Sequence, residues 1–280
     1  MLIIETTAKG LQKLLDEPVS HGSTVGFVPT MGALHAGHVS LVETAKTAND
    51  IVVASIFVNP TQFNDPKDLS NYPRTIEADK ILLEKAGCDI LFLPSVEEMY
   101  PTPELLDMDF GLLENVMEGA FRPGHFRGMA TVVSKFFNMV NPDTAYFGEK
   151  DFQQLAIIRE MNRRQLNGIE IVGCETLREP NGLAMSSRNI HLTDEERSKS
   201  GIIYKALQEA AAIFPEKGAA FTANHVKQMI EEVASFKVQY LEFVDSLTLQ
   251  PIEQRHPGKE ERVCVAVLTS KTRLIDNIAL

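Results

Sequence analysis

The stretch Pro29-Thr30-Met31-Gly32-Ala33-Leu34-His35-Ala36-Gly37-His38 constrains the fold more than any other part of the chain. Before it, Thr24-Val25-Gly26-Phe27-Val28 is short, apolar and β-branched, as a buried parallel strand is. After it, Val39, Leu41, Val42, Ala45 and Ala48 form one apolar stripe, which predicts a helix over 36–48. The ten residues are therefore a strand-to-helix turn. Such a turn offers bare backbone N–H groups and the positive end of a helix to a phosphate. His35 and His38 share a face if both lie in the first helical turn. H-x-G-H alone has three readings: an ordinary glycine turn with two histidines, a phosphate site, or a zinc pair. Zinc needs a third protein ligand, and none is near in sequence. The Pro-Thr-Met-Gly lead-in between strand and helix favours phosphate.

The flanking chain repeats the alternation of strand and helix. Leu2-Ile3-Ile4 reads as a strand, and Thr7 as the cap of a helix ending before Pro18. Residues 50–58 are almost continuously apolar, hence a central strand, and end at Asn59-Pro60-Thr61-Gln62-Phe63. A polar loop follows through Asp65, Pro66, Asp68 and Tyr72-Pro73-Arg74, then a helix over 75–86 and a strand over 89–93. Residues 94–118 are irregular, with Pro94, Pro101 and Pro103. Arg122, Gly124, His125, Arg127 and Gly128 read together as a basic loop, either solvated or anion-facing, with a helix behind it. A strand over 144–147 leads to a second turn, Gly148-Glu149-Lys150-Asp151. Asp151 and Gln154 have capping-box spacing for the helix that follows, and 169–172 is the next strand.

After Glu175 the pattern changes. Residues 178–189 are polar and turn-rich. Thr193 and Glu196 form a capping box for a helix that stops at Pro215, and a second helix covers 223–235. Strands are predicted over 238–244, 262–268 and 272–278. The fold class is therefore α/β: a Rossmann-like parallel sheet in an N-terminal domain over 1–176, and a smaller α+β C-terminal domain over 177–280.

The chain has 27 basic and 38 acidic residues, a formal charge of -11, which argues against broad nucleic-acid binding. No apolar run is long enough for a membrane span, and no secretory leader is evident. Cys88, Cys174 and Cys264 are widely spaced, which reads as reduced thiols in a cytoplasmic protein.

Three turns, at 29–38, 148–151 and 185–188, supply backbone N–H groups, two histidines, Lys150, Ser186, Ser187 and Arg188. That inventory suits a nucleoside triphosphate: histidines and a helix end stabilise charge at phosphorus, and lysine and arginine hold departing pyrophosphate. No Walker A loop is present. Gln62 and Gln154 are neutral donor–acceptors, better suited to a small hydroxylated substrate. Ser187 has neither a nucleophile elbow nor an evident base.

These residues resemble the pantoate–β-alanine ligase family along essentially the whole chain. The resemblance is carried by residues 29–38, Ser55-Ile-Phe-Val-Asn-Pro-Thr-Gln-Phe63, Tyr72-Pro-Arg-Thr75, 122–128, Phe147-Gly-Glu-Lys-Asp-Phe-Gln-Gln154 and Met185-Ser-Ser-Arg-Asn189. It implies ATP-dependent joining of pantoate to β-alanine through a pantoyl adenylate, with Mg2+, in a homodimer whose smaller domain acts as a lid. By resemblance, Met31, Gly32, Ala33, Leu34, His35, Ala36, Gly37 and His38 are the first ATP-binding segment. Gly148, Glu149, Lys150 and Asp151 are the second, and Met185, Ser186, Ser187 and Arg188 the third. Leu177 is a backbone contact to adenine. His38, His35 and Lys150 are the catalytic group, and Gln62 and Gln154 bind substrate. The metal ligands are not identified by the resemblance. Thr61 stands where the family often has methionine, which implies tuned pantoate affinity. Two other readings stay open: another H-x-G-H nucleotidyl transferase, and a nucleotide-binding regulator without turnover. A tRNA synthetase lacks support, since no basic appendage is present.

Overall fold

Alternate residues of the central strands face opposite helical layers, and this is why those strands are apolar on both sides. The computed structural model describes residues 1–63, 66–102 and 104–280. Asp65 and Pro103, read above as loop positions, lie outside the described residues. Two compact units divide the chain: residues 1–110, 122–149 and 157–175 form the first, and residues 111–121, 150–156 and 176–280 the second.

In the first unit the strands are β1 (Ile3–Glu5), β2 (Val25–Thr30), β3 (Ile51–Ile56), β4 (Ile90–Phe92), β5 (Thr144–Gly148) and β6 (Glu170–Cys174). They form one parallel sheet in the order β1-β4-β3-β2-β5-β6. The helices up to residue 175, in chain order, are α1 (Ala8–Ser20), α2 (Ala36–Ala48), α3 (Pro66–Asn71), α4 (Ile76–Lys85), α5 (Val96–Met99), α6 (Met117–Phe121), α7 (His125–Val140) and α8 (Phe152–Gln165), of which α6 and the start of α8, residues 152–156, belong to the second unit. On one sheet face, Val28, Val52, Ala54, Ile56 and Leu91 pack with Leu41, Val42 and Ala45 of α2 and Leu83 of α4. On the other, Phe136 of α7 meets the rings of Phe27, Phe57 and Phe92 at 5.5–6.2 Å. The chain builds outward from β2 to β4, then returns to place β5 on the other side of β2. Strands β2 and β5 thus flank the switch point of the sheet, where open α/β sheets hold ligands. The turns at 31–38 and 148–151 leave the carboxyl ends of these two strands.

The second unit carries β7 (Lys237–Asp245), β8 (Glu261–Leu268) and β9 (Arg273–Ala279), antiparallel in that order. Helices α9 (Asp194–Lys199) and α10 (Gly201–Glu231) precede them. Ile203, Leu207, Phe214 and Ile230 pack against Val263, Val265 and Val267, with Phe214 stacked on Phe243 at 4.4 Å. Met117, Phe152 and Ala156 pack with Val244, Leu249 and Cys264.

Five local expectations need correction. Helix α1 passes through Pro18 to Ser20, because a proline in the last turn removes only its own N–H bond. Part of the stretch read as a polar loop is helix α3, whose first position suits proline. The capping box of Thr193 and Glu196 is present but opens only the short α9. Helix α10 continues beyond Pro215 and breaks at Gly218 (φ 71°, ψ 173°), where Ala219 N–H donates to Glu253 O at 2.8 Å. The basic loop at 122–128 is half helix: α7 starts at His125 after the left-handed Gly124 (φ 78°). Gly128 sits in that first turn because a Cβ there would lie 2.2 Å from Thr61 O.

The three cysteines are buried and free. Burial pushes the Cys88 and Cys264 thiols up to about 12, so they are inert at neutral pH.

Gly128→Ala forces the backbone at 61–62 to move, with an expected loss of about 1–3 kcal/mol read by urea unfolding, as for other overpacked contacts. Glu196 yields a pH prediction. Burial works against its charge, but the N–H groups of Thr193 and Ser270 and the Thr193 hydroxyl donate to it, and the net effect lowers it to about 2. A depressed carboxyl stabilises the fold above its unfolded value, and the gain is lost as pH falls from the ordinary glutamate range toward 2. Urea midpoints should therefore drop between pH 5 and pH 3 in the parent protein and drop less in Glu196→Gln.

Candidate active site

Strand β2 must release its chain above the sheet, and the backbone there needs partners. Thr30 Oγ1 donates to Ser55 O at 2.7 Å and accepts from Gly32 N–H at 3.2 Å. Gly32 has φ 81°, and a Cβ there would lie 3.0 Å from Ile56 Cγ2 and 3.2 Å from Asp79 Oδ2, so only glycine fits. The next two N–H groups are not bare, contrary to the expectation for this turn. Ala33 and Leu34 donate to the Asp79 carboxylate at 3.0 and 2.9 Å. Of this segment, the N–H groups of Ala33 and Leu34 are thus already satisfied within the protein.

His35 is the N-cap of α2, and its Nδ1 accepts from Gly37 N–H at 3.1 Å. His38 closes the cap from the third helical position, with its Nδ1 3.4 Å from His35 N. The two rings are tilted against each other at 4.0 Å between centroids. The shared face expected from the spacing is thus present. With each Nδ1 turned to a backbone N–H, the proton of a neutral ring sits on Nε2. Each Nε2–H is a donor suited to a phosphate oxygen.

Gln62 closes a 3-10 turn, Pro60–Gln62, after β3, and is buried. Asn59, 1% exposed, organises this turn. Its Nδ2 donates to Gln62 Oε1 at 3.0 Å and to Gly128 O at 3.1 Å. Its Oδ1 accepts from Tyr100 Oη at 2.8 Å and Thr61 Oγ1 at 3.0 Å. Burial raises the Tyr100 hydroxyl above its usual value, against the bonds from Thr61 and Asn59, so it stays a donor. Gln62 Nε2 lies 3.1 Å from Met31 Sδ, and His125 Nδ1 lies 2.7 Å from Gln62 O. The first unit thus brings Met31, the histidine cap and the Gln62 turn to the carboxyl ends of β2 and β3. Gly148 ends β5 in the same unit, and Glu149 follows it.

In the second unit, Lys150 and Asp151 pair at 3.1 Å within a 3-10 turn, Glu149–Asp151. Asn277 of β9 donates from Nδ2 to Lys150 O at 3.0 Å. Its neighbour Asp276 makes a bidentate ion pair with Arg178 at 2.6 and 3.0 Å. The helix that follows the turn carries Gln153 and Gln154. Gln153 is buried and tied to Leu113 O, Val116 O and Glu118 N–H, whereas Gln154 is half-buried. Leu177 and the 185–188 stretch meet on one small hairpin: Met185 N–H donates to Leu177 O at 2.9 Å, and Gly182 (φ 98°) makes the turn. Ser186 caps the 3-10 helix Ser187–His191 by accepting from Arg188 N–H at 3.3 Å. Half-buried Met185, Ser186, Ser187 and Arg188 follow one another there.

The residue patterns did not point to Asn59, Asp79, Tyr100 or Asn277. Asn59 had a signal, since Asn-Pro initiates turns. The others act through contacts with segments distant in sequence and carry no local mark. Among the described residues, no group of three or more His, Cys, Asp or Glu is placed to hold a metal ion. No helix among them is long and apolar enough to cross a membrane.

The family described as pantoate-beta-alanine ligase matches residues 3–279. A pantothenate synthetase of Phocaeicola vulgatus is 50% identical over 273 residues, covering 97% of each chain. One of Bacteroides thetaiotaomicron is 48% identical over 97% of this chain and 96% of its own. The crystal structure of pantothenate synthetase from Thermus thermophilus has a TM-score of 0.91 at 43% identity, covering 99% of this chain and 98% of that one. That of pantoate-beta-alanine ligase from Francisella tularensis, complexed with beta-gamma ATP and beta-alanine, has a TM-score of 0.82 at 35% identity, covering 99% and 97%. The histidine-capped turn at the switch point of a parallel sheet therefore sits in a chain with close counterparts along its full length, and this chain belongs to the pantoate–β-alanine ligase family.

Proposed function

We propose that this protein condenses pantoate with β-alanine to pantothenate, with cleavage of ATP to AMP and pyrophosphate, in two steps. A carboxylate oxygen of pantoate attacks the α-phosphorus of ATP, the bond to the bridging oxygen breaks, and pyrophosphate leaves. The β-alanine amine then attacks the acyl carbonyl, loses a proton, and AMP departs. The observation that carries this reading is the paired histidine cap on α2, at the carboxyl end of β2.

In this reading the Nε2–H donors of His35 and His38 stabilise charge on the phosphate oxygens, and Lys150 neutralises the departing pyrophosphate. The 31–38, 148–151 and 185–188 stretches hold ATP, with the Leu177 backbone toward adenine. Gln62, fixed by Asn59, and Gln154 orient the pantoate hydroxyls and the incoming amine. Holding the carboxylate in line with phosphorus supplies much of the rate, up to ~7–11 kcal/mol for a well-oriented pair. The smaller C-terminal domain, taken as 177–280, serves as a lid that keeps water from the adenylate. When bound, Mg2+ shares the triphosphate's negative charge. A cytoplasmic homodimer belongs to this reading, and three free, buried thiols are consistent with a reducing compartment.

ATP–pyrophosphate exchange with Mg2+ and pantoate, without β-alanine, tests the reading. Exchange that requires pantoate is expected, and its absence despite ATP binding would mean another acceptor or a dead site. His38→Ala should lose roughly 10²–10⁴-fold in exchange rate with the fold intact by circular dichroism. Gln62→Ala should raise KM for pantoate more than KM for ATP in steady-state assays.

A further inference from the structure

We infer that Asp79 is a positioning residue for the 31–38 turn, holding the histidine cap in register through two backbone N–H groups. The inference rests on the ATP-dependent reading proposed above. Asp79 is 1% exposed, on the first turn of α4. Its Oδ2 accepts from Ala33 N–H at 3.0 Å, and its Oδ1 accepts from Leu34 N–H at 2.9 Å. Thr75, the residue before α4, donates its hydroxyl to Oδ1 at 3.0 Å, and Asp79 N–H returns to Thr75 O at 2.9 Å. Both carboxylate oxygens are thus committed to the turn, and the helix start locks the carboxylate itself.

Two further observations make the turn dependent on this clamp. Ala33 has φ 51°, a left-handed conformation that a non-glycine residue adopts only when its surroundings hold it there. Leu34 packs against the buried cluster that contains Val28 and Leu41, but the stretch just before it is open on one side. A cavity of about 250 Å³ opens beside it, lined by Met31, Gly32, Ile56, Asp79 and Leu93 among others. Packing therefore holds the Leu34 side chain, whereas the hydrogen bonds to Asp79 fix the backbone N–H groups of Ala33 and Leu34. His35 is the next residue, so any slip at Leu34 passes directly into the N-cap and to His38.

The carboxylate also has a selective effect. By occupying the Ala33 and Leu34 N–H groups it withdraws them from phosphate, and leaves the histidine end of α2 as the anion site on this segment. A role confined to stability would lower Tm and leave the kinetics of the folded enzyme alone. A positioning role lowers the ATP-dependent step in folded enzyme.

Asp79→Asn is the direct test, because each oxygen faces an N–H donor and the amide must set an NH₂ against one of them. Folding is checked by circular dichroism and Tm, and kinetics by pantoate-dependent ATP–pyrophosphate exchange. The expected result is a folded enzyme whose kcat/KM for ATP falls roughly tenfold to hundredfold, as for a misplaced reacting group, with KM for pantoate little changed. Thr75→Val keeps the carboxylate and removes its lock, and should give a smaller loss in the same direction. Wild-type ATP kinetics in folded Asp79→Asn overturn the inference, as they do in Thr75→Val should Asp79→Asn fail to fold. If the parent protein shows no pantoate-dependent exchange, the functional reading fails on its own. Calorimetric ATP affinity then decides for Asp79, with weaker binding in the variants supporting it and equal binding overturning it.

Discussion

A parallel strand that ends in the middle of a sheet has to release its backbone into a turn whose polar groups still need partners. At the end of β2 this constraint is met three ways within nine residues. Thr30 ties the exit to β3, Asp79 takes the next two N–H groups, and His35 and His38 cap the helix that follows. Side chains that serve as caps are held rigidly by the backbone they satisfy. The two imidazoles are therefore placed by the helix start itself, ring against ring, at the ligand end of the sheet.

The same arrangement recurs at the turn after β3. Asn59 commits its whole amide to Gln62, Gly128, Tyr100 and Thr61, so one buried residue orients the Gln62 amide oxygen while Met31 Sδ lies against its nitrogen. Glycine at 128 lets α7 come close enough to take part. In the second unit Asn277 does a similar service for Lys150, and an Arg178–Asp276 pair anchors the neighbouring position of β9. His38, Gln62 and Lys150 are thus each tied by polar contacts within their own unit.

Much of the architecture was legible in the chain. Strand and helix periods located the strands of both sheets to within about two residues, because burial on both faces forces continuous apolar runs. The failures share a cause. Pro18 and Pro215 were read as stops, yet each sits where a helix can lose one N–H bond. Residues 125–128 were read as loop because two glycines and a proline usually mean one, whereas Gly124 starts the helix and Gly128 answers a close approach by Thr61. A glycine's reason lies in what touches it, and that is not written locally.

The sequence by itself determined the α/β class, the strand-to-helix turns, the histidine pair and, through six ordered motifs, the family. These follow from local periodicity and from residue types that keep their chemistry in any context. Only the tertiary structure decided that the turn's N–H groups belong to Asp79, that Asn59 orients Gln62, and that 111–121 and 150–156 pack with the C-terminal unit. Most of these facts join residues tens of positions apart. Hydrogen bonds form between whatever the folded chain brings within about 3 Å, and distance along the sequence carries no record of that.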